Sequence, residues 1–426
     1  MPIRPRAALI GAAMALGLAL GAPTVVPAAA REAVTPARFT PAGLERIRAQ
    51  LRGDVAQGRI PGAVLLITRG NGTLFQEAFG QQDVAAARPM RRDSIFRIAS
   101  MTKPLVSVAA MQLVEQGKIQ LSDPVATYLP ELQGLKVAVE RRDAGGQAAT
   151  ELVDARPITI QDLFRHTSGL TYHFLGQMNP VRRAYADQDI AGLYGPTASE
   201  MLSRLKAIPL MYQPGSTFEY SVSTDILGHV VERVTGKTLD AALDEMVLKP
   251  LGMRDTVFQV AGPRLARLAN ARPGDPDMET MNWLDLTKPP KRFSGGAGAA
   301  STAQDYGRFM RMLLNEGELD GVRLLSPQTV RYMMSDHLGP VRGPIYLPGP
   351  GHGFGLGFAV RADDGVATTI GHKGEAWWGG ITGTRFWVDP ANDLGVVLMI
   401  QAPNQRNYYQ SVMRNLVYGA MGRASR

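Results

Sequence analysis

Apolar and polar positions along the chain follow two rhythms, and the rhythm changes twice. Between Thr35 and Gly58, Leu44, Ile47, Leu51 and Val55 recur at three- and four-residue intervals, the spacing of one helix face. Gly62–Thr68 and Thr73–Phe79 are rich in β-branched and aromatic residues and flank Arg69-Gly70-Asn71-Gly72, so they predict a hairpin. Ser94–Ala99 then leads into a helix predicted from Ser100 to Gln116, with Gly117 as its stop. Helical spacing and loops dominate from Ser122 to Leu338. Helices are predicted there at Ile160–Arg165, Ala198–Ala207, Thr224–Val234, Leu239–Val247, Thr302–Asn315 and Pro327–Met334. The polar stretch Arg141–Ala155 predicts a surface hairpin or loop. Strand rhythm returns after Gly351, at Gly355–Arg361, Ala367–His372, Gly383–Val388 and Gly395–Gln401, and a helix over Arg406–Met421 comes after them.

Strands at both ends with helices between them imply one shared sheet, since each half alone would leave an apolar face uncovered. The predicted organisation is therefore nested. A sheet lobe takes residues 31–120 and 340–426, and a mostly helical lobe takes residues 121–339. Residues 1–30 stand apart. Arg4 and Arg6 precede an uninterrupted small and apolar run from Ala7 to Gly21, and Ala28-Ala29-Ala30 offers a cleavage site, the order of a secretory signal peptide. That run is short for a membrane span, and no later stretch is long and apolar enough for one, so the mature chain is expected to be exported, periplasmic or secreted, without an integral span.

Composition narrows the chemistry. A hydrophobic fraction of 45% with 20% charged residues excludes disorder, collagen and coiled coil. The net charge of +8 is interspersed, with no concentrated basic stripe, so no nucleic-acid partner is expected. With no cysteine, disulfides, cysteine-ligated metal and a thiol nucleophile are excluded. The six histidines form no H-E-x-x-H or H-x-H pair, and there is neither a G-x-S-x-G elbow nor a phosphate-binding G-x-x-x-x-G-K-[ST]. No metal or cofactor is expected.

The pattern S-x-x-K remains, twice. Ser203 and Lys206 fall on the polar side of a segment whose apolar members are Met201, Leu202, Leu205 and Ile208, a solvated face. Ser100 instead opens a segment that is apolar nearly all round, with Leu105, Val106, Val108, Ala109, Ala110, Met111, Leu113 and Val114, the signature of a buried helix. Unpaired N–H groups at such a helix start favour negative charge, and Lys103 projects from the same face one turn on. Desolvation favours a neutral, proton-accepting amine, which would activate a serine without histidine. On this local pattern alone, Ser100 serves equally as a helix cap with Lys103 reaching solvent.

Around Ser100-Met101-Thr102-Lys103-Pro104 the chain resembles the penicillin-recognising serine hydrolases, which include class C β-lactamases, D-alanyl-D-alanine carboxypeptidases and carboxylesterases of β-lactamase fold. The resemblance continues in order through Leu121-Ser122-Asp123-Pro124, Tyr128-Leu129-Pro130, Ile158 to Leu163, His166-Thr167-Ser168-Gly169-Leu170, Gln213-Pro214-Gly215, Phe218-Glu219-Tyr220-Ser221, Gly295-Gly296-Ala297-Gly298 and Gly353 to Gly357. It implies a β-lactamase/transpeptidase-like α/β (α+β) fold, with an antiparallel sheet flanked by helices and an inserted, mostly helical lobe. It also implies roles. Ser100 is the nucleophile, and Lys103 and Tyr220 share its proton. Trp378-Gly379-Gly380 is the third motif, preferred over His372-Lys373-Gly374 on its distance to Asp389-Pro390. The N–H groups of Ser100 and Ile381 form the oxyanion hole. The glycine-rich Ser294–Ala299 reads equally as a border of the cleft or as a plain flexible loop. His166 is implied to be structural.

Two positions depart from the family pattern. Val222 stands where an asparagine commonly contacts a substrate amide, and Trp378 stands where a cation commonly meets a carboxylate. A site lined by Trp378, Gly379, Gly380 and Val222 lacks those anchors and should favour neutral esters. The expectation is thus a secreted serine hydrolase of small ester or amide substrates, a carboxylesterase first. A β-lactamase or D,D-carboxypeptidase comes second, and a non-catalytic module binding cell-wall fragments or proteins third.

Overall fold

In the computed structural model, which describes residues 38–142, 148–344 and 346–422, strands from both ends of the chain join one eight-stranded antiparallel sheet. In chain order its strands are β1 (Gly62–Arg69), β2 (Gly72–Asp83), β3 (Arg88–Pro89), β4 (His352–Phe354), β5 (Ala359–Arg361), β6 (Ala376–Gly379), β7 (Arg385–Asp389) and β8 (Leu394–Ile400). Across the sheet they run β4-β5-β6-β7-β8-β1-β2-β3. One pairing joins the two ends of the chain: β8 lies against β1 in unbroken register from Leu394 opposite Arg69 to Ile400 opposite Ala63. The signal segment expected over residues 1–30 lies outside the described residues. The described residues fall within the single unit Pro36–Arg426, and none of their helices is long and apolar enough to cross a membrane.

β1 and β8 are buried along nearly their whole length because helices cover both faces of the sheet. Five helices cover the sheet and position the site: α1 (Pro41–Ala56), α2 (Thr102–Glu115), α3 (Ser223–Thr235), α4 (Ala303–Leu314) and α5 (Arg406–Ala420). Gly307 of α4 sits on Leu66 of β1, where a Cβ would clash. Leu65, one residue earlier and hence on the other face, lies opposite Glu77, whose carboxylate binds Arg48 of α1 at 2.7 Å. α1 packs in turn on α5, where Tyr409 donates its hydroxyl to Asp54 at 2.7 Å. α2 runs through the centre against α3, buried from Thr102 to Met111. Each buried Leu or Val side chain there contributes about 1.5–3 kcal/mol.

Most helices start where the sequence predicts because capping residues are present. Thr159 with Asp162 and Thr197 with Glu200 form reciprocal capping boxes. Four expectations need correction. Ala367–His372 is not a strand: Val366 and Ile370 are exposed, and Arg361 holds the segment as a loop through the Thr369 carbonyl and hydroxyl at 2.9 and 3.0 Å. The next strand is β6. Gly355–Arg361 begins as a turn closed by the Gly355 N–H on the Phe358 carbonyl, and only Ala359–Arg361 is strand. Helix Leu239–Leu243 passes into a π turn at Asp244–Leu248. Ser100 does not open the α-helix itself; it lies in a 3₁₀ turn, Ala99–Met101, just before it. The polar stretch near residue 141 forms a hairpin of Lys136–Arg142 with Ala148–Asp154.

Candidate active site

The site is built where the start of α2 meets the end of β6. Ala99 has φ +44°, a conformation that costs a non-glycine residue about 1–3 kcal/mol and persists only when its surroundings enforce it. They do so through a set of buried bonds. Ile98 donates to the Ala299 carbonyl at 3.0 Å, Thr102 Oγ1 donates to the Ala99 carbonyl at 2.7 Å, and the Ala299 N–H donates to Thr102 Oγ1 at 3.1 Å. Ser100 sits in the resulting turn and lines a cleft whose apolar walls include Phe174, Leu175, Ala191, Trp283, Leu347 and Trp377.

Lys103 is fully buried one turn below. Its Nζ donates to the Gly296 carbonyl at 2.7 Å and to Tyr172 Oη at 3.3 Å, and lies 3.5 Å from Ser100 Oγ. It also sits 4.6 Å from the centroid of the Tyr220 ring. A Cβ at Gly296 would collide with both Asp225 and Tyr172, so only glycine lets its carbonyl approach this closely. Ser203 and Lys206, by contrast, are exposed. Identical spacing thus has two outcomes, decided by what packs on the helix.

Tyr220 lines the cleft, but its hydroxyl accepts a bond from Trp378 Nε1 at 3.1 Å rather than bonding Lys103 or Ser100. The hydroxyl that does bond Lys103 belongs to Tyr172, which the sequence pattern does not single out. Nothing in the apolar–polar rhythm marks it, because it lies 69 residues from its partner. Burial, then the Asp225 carboxylate, holds the Tyr172 phenol well above its ordinary range. His166 is buried, accepts from the Ser221 N–H at 3.3 Å and packs against the Tyr220 ring at 4.6 Å. Burial, reinforced by Lys103, pushes its pKa well down, so it supports the Tyr220 ring as a neutral group.

Trp378, Gly379, Gly380 and Ile381 line the cleft with Ser100. The Gly380 N–H bonds the Thr384 carbonyl and the Gly383 N–H bonds the Gly380 carbonyl, a turn that leaves the intervening Ile381 N–H out of both bonds. The Ser100 N–H lies in the first turn of its helix, where no intrahelical acceptor exists. A Cβ on Gly380 would meet the Ile98 carbonyl at 2.5 Å, so β6 and the serine turn touch through bare backbone. Ser294 and Ala297 of the glycine-rich segment line the cleft as well. His372, the competing motif, instead pairs with Asp389 at 2.8 Å beside Tyr418.

Two expectations about substrate contacts change. Val222 is fully buried at the start of α3 and does not line the cleft. A cation is present after all, since Arg385 of β7 lines the cleft and lies opposite Gly379, its guanidinium 3.4 Å from where a Cβ would stand there. It has no acidic partner among the described residues, and burial, with Arg414 and Arg406 adding, lowers its pKa to about 9. It is buried only because β7 carries it under Trp377, a placement invisible in the sequence.

The family model described as Beta-lactamase matches residues 47–411. Protein Rv1367c of Mycobacterium tuberculosis is 39% identical over 84% of this chain and 90% of its own length. Esterase EstB of Burkholderia gladioli is 34% identical over 83% of this chain and 89% of its own. Among solved structures, that of EstCE1, described as a hydrolase with promiscuous acyltransferase activity, superimposes with a TM-score of 0.74 at 29% identity, covering 89% of this chain and 99% of that one.

Proposed function

The chain belongs to the beta-lactamase family, and from that premise we propose that this serine hydrolase is an exported carboxylesterase working through an acyl-enzyme on Ser100. One observation carries the reading: a serine hydroxyl and a fully buried lysine amine face each other at the floor of an apolar cleft. Ser100 Oγ attacks the ester carbonyl carbon as its proton passes to Lys103 Nζ. The carbonyl oxygen becomes an oxyanion held by the N–H groups of Ser100 and Ile381. Collapse breaks the bond to the leaving alkoxide. Tyr220, whose hydroxyl oxygen already accepts from Trp378, has its own O–H left to donate to that alkoxide. Water then hydrolyses the acyl-enzyme by the reverse proton path. Trp378 and the aromatic walls suit a neutral acyl group, in line with the esterase named among the relatives.

Lactam hydrolysis is the second reading, and Arg385 is the observation that favours it. A buried guanidinium without a carboxylate partner beside β6 attracts an acidic substrate. Turnover of short-chain p-nitrophenyl esters against nitrocefin separates the two. Ester turnover should dominate in kcat/KM, and lactam turnover far above it would overturn the esterase reading. Ser100→Ala should abolish both, and retained activity would remove Ser100 as nucleophile. Export rests on residues 1–30 alone. Expression of the full chain in a Gram-negative host should yield a periplasmic protein whose N-terminus lies near Arg31.

A further inference from the structure

One end of the cleft holds two arginines, and no carboxylate pairs with either among the described residues. Arg385 is 6% exposed, yet its Nε and Nη1 have no hydrogen-bond partner, and Nη2 has only the Arg406 carbonyl at 3.5 Å. The centroid of the Trp377 ring lies 5.3 Å from its guanidinium carbon. A buried cation without a counter-charge is costly to keep. Glycine at 379 puts no side chain over it, since a Cβ there would stand 3.3 Å from Nη2. Arg406, Asn407 and Gln410 line the same end from the first turns of α5. That helix starts with no side-chain cap and no acidic residue in its first turn, so its free N–H groups add positive potential.

The acids of the neighbourhood do not balance this charge. Asp225, the one carboxylate that lines the cleft among the described residues, is bonded to Arg292 at 3.2 Å. Glu375 is taken by Arg414 at 2.5 Å. The short helix Pro276–Glu279 packs beside Pro403–Gln405, but neither Asp277 nor Glu279 forms an ion pair with Arg406. A planar guanidinium with free N–H groups matches a carboxylate supplied from outside. The charge also lies on the leaving-group side. Tyr220, which protonates the leaving alkoxide, is bonded to Trp378, and the next residue, Gly379, lies opposite Arg385. The oxyanion-hole N–H belongs to Ile381, two residues further on, about 7 Å away at strand spacing.

We propose that Arg385, with Arg406 at the rim, is the specificity-determining anchor for a carboxylate on the alcohol part of the substrate, so that the enzyme cleaves acylated hydroxy acids. The inference rests on the acyl-enzyme reading above. Ser100 keeps the acyl group, and the hydroxy acid leaves with the proton that Tyr220 donates. The carboxylate is held throughout and forms no bond in the reaction, so its effect falls on KM.

The test compares p-acetoxybenzoate with its methyl ester on the full-length protein. The two share the acyl group and the leaving oxygen and differ in charge. Wild-type kcat/KM should favour the acid about tenfold, mainly through KM, and Arg385→Gln should erase that preference. Equal wild-type values, or a preference that survives in Arg385→Gln, would overturn the proposal. So would a loss in Arg385→Gln that falls on mono-p-nitrophenyl glutarate, whose carboxylate is on the acyl side, and spares p-acetoxybenzoate. If Arg385→Gln does not fold, product inhibition of wild-type p-nitrophenyl acetate turnover decides. There p-hydroxybenzoate should inhibit about tenfold more strongly than its methyl ester, and equal inhibition overturns the proposal. Neutral-ester turnover with no preference for the acid sinks this inference alone. Wild-type protein that a fluorophosphonate does not label at Ser100 would instead sink the acyl-enzyme reading, and this inference with it.

Discussion

At position 378 a tryptophan stands where the family resemblance implies a cation, and its Nε1–H is taken up by Tyr220. Its ring packs edge-on against Phe354 at 5.2 Å, so shape and hydrogen bond are separable. Trp378→Phe keeps an aromatic wall and drops the bond. A neutral bond of about 1 kcal/mol corresponds to an expected loss of roughly fivefold in kcat, with KM for short esters unchanged in steady-state assays. Gly380→Ala should be more severe, because its Cβ meets the Ile98 carbonyl, a backbone atom that cannot turn away. Activity should fall further than thermal stability, as the displaced turn is the one that carries Ser100. Ser100 and Lys103 were legible as candidates through their spacing and the apolar helix behind them, and the family resemblance chose them. Tyr172 and Asp225 were not, because their partners lie 69 and 67 positions away in the chain, and Arg385 was not, because only its pairing beside Gly379 and its burial under Trp377 bring it to the cleft.

Among the elements, helix α4 carries a titratable group of its own. Asp305 lies in its first turn, accepting from the Asp255 N–H at 2.7 Å and from Thr256 Oγ1 at 3.0 Å. Burial pushes its pKa up to about 6 in spite of those bonds, and the Asp255 charge adds to the rise. An acid whose folded pKa is raised binds its proton more tightly in the folded state. The stability it contributes is full below its unfolded pKa and is lost as pH rises through about 6. Urea unfolding of the wild type and of Asp305→Asn should show the wild type losing about 3 kcal/mol relative to the variant between pH 4 and pH 8. A pH-independent difference would refute this. Helix positions read well from sequence because caps are local: Thr302 accepts from the Asp305 N–H, and Ser326 accepts from the Thr329 N–H. The loop at Ala367–His372 read as a strand because its residue types suit one. In the structure the guanidinium of Arg361, 8 residues before Thr369, holds it as a loop instead.

Across the whole molecule, the sheet and α5 are tied by deeply buried charges. Glu375, just before β6, accepts from Arg414 of α5 at 2.5 Å and lies 3.8 Å from Arg361 at the end of β5. Tyr418 of α5 adds its hydroxyl at 2.9 Å. Such a cluster stabilises little against an apolar replacement of the whole, but removing one partner strands the others. Glu375→Ala leaves two guanidinium groups uncompensated and should cost about 3–5 kcal/mol in urea unfolding. Since the same cluster holds the entrance to β6, ester turnover in the folded fraction should drop as well. A near-neutral Glu375→Ala would show that water reaches the cluster. That strands from both chain ends share one sheet was legible from hydrophobic rhythm, since neither half alone could cover its apolar face, but the rhythm set a strand at Ala367–His372 and missed β6.

The order of residues was enough to make Ser100 and Lys103 candidates and, through the family resemblance, to prefer them; spacing and an apolar helix alone left the lysine free to be buried or to reach solvent. It was also enough to exclude thiol chemistry and to bring strands from both ends of the chain into one sheet. Folding in three dimensions decided which tyrosine bonds the lysine, which carboxylate lies behind it, and that an arginine borders the cleft. The physical reason is range. Periodicity and capping act over a turn or two of chain. The hydrogen bonds that orient Lys103 join residues 69 and 193 positions apart, and nothing local in the sequence records such distances.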